Sequence, residues 1–100
     1  MSHAETSVVE KVAIKTPNFW TVVLHNDDFT PMDFVIMVLM QIFHLNPEES
    51  EIIMLSVHND GKAPIPRKYS KDIAVTKANQ VCLLAEKFQH PLLATPEQIA

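Results

Sequence analysis

Two helix-start signals separated by one apolar stripe set most of what this chain can fold into. Thr30-Pro31-Met32-Asp33 and Asn46-Pro47-Glu48-Glu49 each offer a side chain that can cap, a proline suited to the first helical position, and an acid in the first turn. In the first, Thr30 is the expected cap, with Asp33 three residues on. Met32, Val35, Ile36, Leu39, Met40 and Phe43 follow at helical spacing to about His44. Phe34, Val38 and Ile42 widen that stripe, leaving Asp33, Met37, Gln41 and His44 for the solvent edge. The second helix runs to about Asn59, with Gly61 just past its end. The link between the two is short, so they pack as neighbours.

The rest of the chain supplies a small sheet. Phe19 to Leu24 is β-branched and aromatic and reads as a strand, broken by the turn formers His25-Asn26-Asp27-Asp28-Phe29. Lys62 to Ser70 reads as a short strand. Pro64 and Pro66 lie two apart, so their missing N–H groups fall on one side and confine that strand to an edge. A third helix is expected from about Lys71 to Phe88, burying Ala74, Ala78, Val81, Cys82, Ala85 and Phe88. His90-Pro91 ends it, and Leu92 to Thr95 forms a last strand. The order is β-α-α-β-α-β. It is expected to form a single α+β domain, with helices packed on a three-stranded antiparallel sheet. Residues 1-17, closed by Pro17, are expected to be a flexible N-terminal tail, less polar than most because of Val8, Val9, Val12 and Ile14.

Composition removes several classes of function. One hundred residues, 47% hydrophobic, suffice for one core. No apolar run reaches the ~18 residues needed to span a bilayer. The first residues lack the basic and apolar regions of a secretory signal, and Cys82 is the lone cysteine, which together point to the cytoplasm. Net charge of −4 argues against broad phosphate-backbone binding, and the short basic run Arg67-Lys68-Tyr69-Ser70-Lys71 reads as a solvated loop. The single glycine, Gly61, rules out phosphate-cradling loops. No cofactor is implied.

One constellation carries chemistry. Asn26, Asp27 and Asp28 follow the first strand, and His58 falls late in the second helix on the face of Met54 and Leu55. Asn, Asp and neutral His all accept hydrogen bonds, whereas an ammonium group only donates three. Asn26, Asp27 and His58 therefore suit a free α-amino group, with Met32, Val35, Met54 and Val57 as an apolar hole beside it. Each piece has a plainer reading. Asn26-Asp27-Asp28 makes an ordinary turn, His58 an ordinary helix end, and the apolar stripe an ordinary core. A metal site from His25, Asp27, Asp28 and His58 has no fixed ligand spacing. A Cys82-His90 nucleophile would place its sulfur on a buried face.

The segments Val23-Leu24-His25-Asn26-Asp27-Asp28-Phe29-Thr30-Pro31-Met32-Asp33-Phe34-Val35, Met54-Leu55-Ser56-Val57-His58-Asn59-Asp60-Gly61-Lys62-Ala63 and His90-Pro91-Leu92-Leu93 resemble, in order and spacing, the signatures of the ClpS family. The resemblance covers about residues 18 to 95, making residues 18-100 a ClpS-like adaptor domain. It implies a non-enzymatic adaptor that binds N-terminal Phe, Tyr, Trp or Leu of substrate proteins and delivers them to a ClpA-type AAA+ unfoldase paired with ClpP. Carried over, Asn26, Asp27 and His58 hold the α-amino group. Asp28, Thr30, Pro31, Met32, Val35, Met54, Val57 and Leu92 shape the side-chain pocket, with Met32 excluding β-branched residues. Asp72 and Lys77 face the unfoldase's N-terminal domain. Nucleic acid and membrane are not expected partners. Pro64-Ile65-Pro66-Arg67-Lys68 departs from the family pattern and is one residue longer. An inhibitor of the unfoldase, or a ribosomal-stalk-like factor-binding domain of related β-α-α-β-α-β fold, are the alternatives; the intact Asn26-Asp27-Asp28 and His58 motifs favour the adaptor.

Overall fold

The computed structural model describes residues 18–99, and the expected tail over 1-17 lies outside them. The elements run β1 (Trp20–His25), α1 (Met32–Gln41), α2 (Pro47–Asp60), β2 (Lys62–Pro64), α3 (Lys71–Lys87) and β3 (Leu93–Gln98). This is the expected β-α-α-β-α-β order. The sheet is antiparallel with β1 in the centre, flanked by β2 and β3.

β1 takes the middle because four consecutive residues, Thr21 to Leu24, are buried. Val22 and Leu24 point into the core, where they meet Val35, Val38 and Leu39 of α1, Met54 and Val57 of α2, and Ala74, Ala78, Val81 and Ala85 of α3. The alanines on α3 let that helix lie close to β1 and β3. Their spacing matches the expected buried face, with two corrections. Cys82 is only half-buried, its Sγ 3.6 Å from the Ala94 carbonyl. Phe88 is mostly exposed, although its ring leans on Phe34 at a centroid distance of 5.6 Å.

The sheet edges are set by proline. The Ile65 N–H donates to the Val22 carbonyl at 2.8 Å, so Pro64 and Pro66, one residue to either side, carry their missing donors on the outward side of β2. The expected strand from Lys62 to Ser70 is shorter than foreseen. It ends at Pro64, the Arg67 N–H folds back to the Ile65 carbonyl at 2.8 Å, and pairing resumes only where Trp20 and Tyr69 exchange backbone hydrogen bonds. On the other edge the Ile99 N–H donates to Phe19, and alternation from there puts Pro96 on the outward side of β3.

Helix ends show where side chains competed. α2 starts as expected: Asn46 Oδ1 accepts from the Glu49 N–H at 2.7 Å. α1 does not. Thr30 makes no cap, since its hydroxyl donates instead to Asp27 Oδ2 at 2.7 Å; Pro31 is the N-cap residue and α1 begins at Met32. α1 also stops at Gln41, short of His44. His44 adopts a left-handed φ of 58°, and the Leu45 N–H reaches back to the Leu39 carbonyl at 3.2 Å. α3 closes with Gln89 left-handed, the Gln89 N–H on the Glu86 carbonyl and the His90 N–H on that of Ala85. Among the described residues no helix is long and apolar enough to cross a membrane.

Candidate functional site

The loop after β1 and the end of α2 are held together by backbone. The Asn26 N–H donates to the Gly61 carbonyl at 2.9 Å. Gly61 takes a φ of 88°, where a side chain is strained, and its own N–H closes α2 on the Val57 carbonyl. This one linkage puts Asn26 beside the last turn of α2, where His58 sits.

The result is a cavity of about 410 Å³ lined by both segments. Asn26, Asp27 and Asp28 come from the loop, Phe29 to Pro31 from the lead-in to α1, Met32 and Val35 from α1, and Met54, Val57 and His58 from α2. Val35, Met54 and Val57 are buried and form the apolar part of its wall. Met32 stands at its rim, 46% exposed, and Met40 of the same stripe is also exposed, so the stripe is not continuous core. Asn26 and His58 are exposed.

Asp27 organises the loop. Its Oδ1 accepts from the Phe29 N–H at 2.8 Å and the Thr30 N–H at 2.7 Å, and its Oδ2 from the Thr30 hydroxyl. Burial alone would push this carboxyl up. The Thr30 hydroxyl, the two backbone N–H groups and the nearby His90 outweigh that and hold it below its ordinary value of 3.8. Asp27 is thus a carboxylate at neutral pH. A carboxylate offers about four lone-pair sites, and the loop uses three, leaving one on Oδ2.

All three residues assigned to an ammonium group line this one cavity, and so do all those assigned to the side-chain pocket except Leu92. Leu92 is buried in the core cluster that also holds Val35, Met54 and Val57. Phe29 was not foreseen. It lines the cavity while 78% exposed, and a large aromatic ring in an otherwise polar turn is the signal that could have marked it. His25 is not a lining residue: the Thr95 hydroxyl, which donates to Glu97 at 3.1 Å, accepts from His25 Nε2 at 2.8 Å. Among the described residues no three His, Cys, Asp or Glu side chains assemble as a metal set.

The two residues assigned to a partner surface lie on α3. Asp72 is exposed in its first turn. Lys77 is half-buried: its Nζ donates to the Ile42 carbonyl at 2.8 Å, just past α1, and lies over the rings of Phe43 and Tyr69.

Comparison with known proteins agrees with this geometry. Residues 15–95 match the profile of the family described as ATP-dependent Clp protease adaptor protein ClpS. The chain is 49% identical over 90 residues to the ATP-dependent Clp protease adapter protein ClpS of Vibrio atlanticus, covering 90% of this chain and 84% of that one. It is 42% identical over 98 residues to its counterpart in Deinococcus radiodurans, covering 96% and 86%. Its fold is similar to that of Agrobacterium tumefaciens ClpS2 bound to L-phenylalaninamide, with a TM-score of 0.80 and 33% identity over 84% of this chain and all of that one. From its motifs, its fold and these matches, the chain belongs to the ClpS family of Clp protease adaptors.

Proposed function

We propose that this chain grips the first residue of other polypeptides in the cavity between the β1 loop and α2, and delivers them to a ClpA-type AAA+ unfoldase for degradation by ClpP. The observation that carries the reading is the meeting of three acceptors and an apolar wall in one cavity. An α-ammonium group has three donors. Asn26 Oδ1, the remaining site on Asp27 Oδ2 and an imidazole nitrogen of His58 provide three acceptors. The side chain next to that amine then faces Met32, Val35, Met54 and Val57, an apolar surface that suits Phe, Tyr, Trp or Leu. Asp28, Thr30 and Pro31 shape the mouth, and Leu92 backs the wall from the core.

L-phenylalaninamide, the ligand of the Agrobacterium relative, has a free ammonium group, an aromatic side chain and an amidated carboxyl. It stands in for the first residue of a peptide and the peptide bond that follows, which supports the same class of ligand here. Asp72 and Lys77 are assigned to the unfoldase's N-terminal domain. The folded unit is assigned to residues 18-100, with 1-17 as its tail, acting in the cytoplasm without nucleic acid or membrane.

The test is calorimetry with a Phe-initiated peptide and its N-acetylated form. Acetylation removes the charge and two of the three donors, leaving desolvated acceptors at ~1–3 kcal/mol each. The free peptide is expected to bind and the acetylated one not. Equal binding of the two would refute the reading.

A further inference from the structure

Of the residues lining the amine cavity, Phe29 alone has no part in the grip on a first residue. It is also the most exposed large hydrophobic residue among those described, ahead of Leu83 and Ile52. Its backbone is nonetheless pinned. The Phe29 N–H donates to Asp27 Oδ1 at 2.8 Å, and the same oxygen takes the Thr30 N–H at 2.7 Å. Pro31, two residues on, has its φ locked by its ring at −65°. The Phe29 side chain is therefore held out in water by an ordered turn. Packed rings lie elsewhere, as where Phe34 meets Phe88 and His90. Among the described residues the Phe29 ring has neither a ring nor a cation as partner. With Met32 it makes up the exposed large hydrophobic surface of the cavity lining, whereas Val35, Met54 and Val57 are buried.

We propose that Phe29 is a specificity-determining residue for the second residue of the client, its ring serving as a surface for a large apolar or aromatic side chain. This rests on the reading of the cavity as a site for a free amine. That reading fixes the order of the guest's parts. Asn26, Asp27 and His58 hold the ammonium group, and the first side chain goes inward to the buried Val35, Met54 and Val57. The peptide bond is left to run outward, and it sets the second α-carbon ~3.8 Å from the first. A side chain that lines the cavity while mostly in water meets the guest at the mouth, where the chain leaves. Phe29 is that side chain. Its ring offers an aliphatic side chain apolar area, and an aromatic one an offset or edge-on contact. Asp28 is exposed, lines the same cavity and is the rival determinant, one that would favour a basic second residue.

The test is calorimetry on the full-length protein with Phe-initiated peptides that differ only in having Ala, Leu, Phe or Lys in second place. Wild type is expected to bind the Leu and Phe peptides roughly threefold to tenfold more tightly than the Ala peptide, the span of one aromatic contact. Phe29→Ala removes the ring but keeps the backbone N–H that Asp27 holds, so it is expected to fold, and its advantage for Leu and Phe is expected to shrink to within about twofold. Phe29→Tyr keeps the ring and is expected to keep the advantage. Both variants are expected to retain the preference for Phe over Ala as first residue, because the buried wall is untouched. A wild-type advantage in folded Phe29→Ala overturns the proposal, as does equal weakening of all four peptides, which would make Phe29 part of the first-residue pocket. A preference for Lys alone, lost in Asp28→Asn and kept in Phe29→Ala, assigns the second residue to Asp28 and also overturns it. Failure of every Phe-initiated peptide to bind wild type would instead overturn the amine-site reading.

Discussion

Replacing Asp27 separates its bracing of the loop from its proposed role at the amine. Asp27→Ala removes all three bonds to the loop, at 2.7–2.8 Å. A net hydrogen bond is worth ~0.5–1.5 kcal/mol, and at a site open to water the low end applies, for a total of about 1.5 kcal/mol. That falls within the roughly 0.5–2 kcal/mol lost when a helix-capping side chain is truncated. For a domain of this size it lowers Tm by roughly 6–12 °C. Asp27→Asn keeps an oxygen for the Phe29 and Thr30 N–H groups, and the Thr30 hydroxyl can turn to accept from the new amide, so stability is expected to change by less than about 0.5 kcal/mol. Binding separates in the other direction. Losing the charge turns a charge-assisted bond of ~1.5–3 kcal/mol into a neutral one of ~0.5–1.5, so Asp27→Asn should bind a Phe-initiated peptide about tenfold more weakly. Circular dichroism melts and calorimetry on both variants give the comparison. Wild-type affinity in Asp27→Asn would reduce Asp27 to a loop brace, and a wild-type melt in Asp27→Ala would show that its three bonds brace nothing.

Three further outcomes are expected. Met32→Ala should widen the cavity rim and admit peptides beginning with Ile or Val; an unchanged preference across a peptide panel makes Met32 an ordinary rim residue. The Asp27 carboxyl is held below 3.8 in the folded protein, so its stabilising effect is complete above that value and is lost as pH falls through the lower folded value. It follows that a fall in peptide affinity between about pH 7 and 5 belongs to imidazole chemistry. His58→Gln, which keeps an acceptor but cannot titrate, should bind more weakly overall and lose most of that fall; an acid limb equal to wild type would exclude His58 as a neutral acceptor. Lys77→Ala removes the bond to Ile42 and two ring contacts, so it should destabilise the fold by about 1 kcal/mol in a urea titration. A wild-type midpoint would leave Lys77 with a role at the surface alone.

The elements were legible where sequence and packing agree. The cap at Asn46, the stop at Gly61 and the edge forced by Pro64 and Pro66 are local rules that tertiary contacts did not oppose. The misreadings came from local competition. Thr30 and Asp27 are each capable of capping, three residues apart. The carboxylate accepts from Thr30 at both its N–H and its hydroxyl, which turns the hydroxyl back toward the loop rather than toward the N–H groups of α1, and α1 has no side-chain cap. Nothing in the sequence marks His44 as the residue that turns left-handed, since His tolerates that region without requiring it. The β2 strand ends early because the Arg67 N–H turns back to the Ile65 carbonyl just after Ile65 pairs with Val22, and the extra length is absorbed in that turn before Tyr69. The site was legible as residue chemistry at Asn26, Asp27 and His58. Their meeting in space depends on the bond from Asn26 to Gly61, which no spacing reveals, and the outlying Leu92 shows how far a linear motif can place a side chain behind the wall rather than on it.

The prolines on both edges of the sheet also govern what kind of grip this domain can offer. An extended guest chain commonly docks by adding a strand, zipping its backbone along an open edge. Here β2 presents Pro64 outward, with Pro66 in the turn just past its end, and β3 presents Pro96, so neither edge offers an unbroken row of donors. On the proposed reading, a client seated in the cavity would be held at its tip, like a rope by its end, with neither sheet edge as a rail for the rest of its backbone. Such a hold would draw no main-chain ladder from the residues downstream. It would also let go in one step when the chain is pulled, with no ladder of bonds to unzip first.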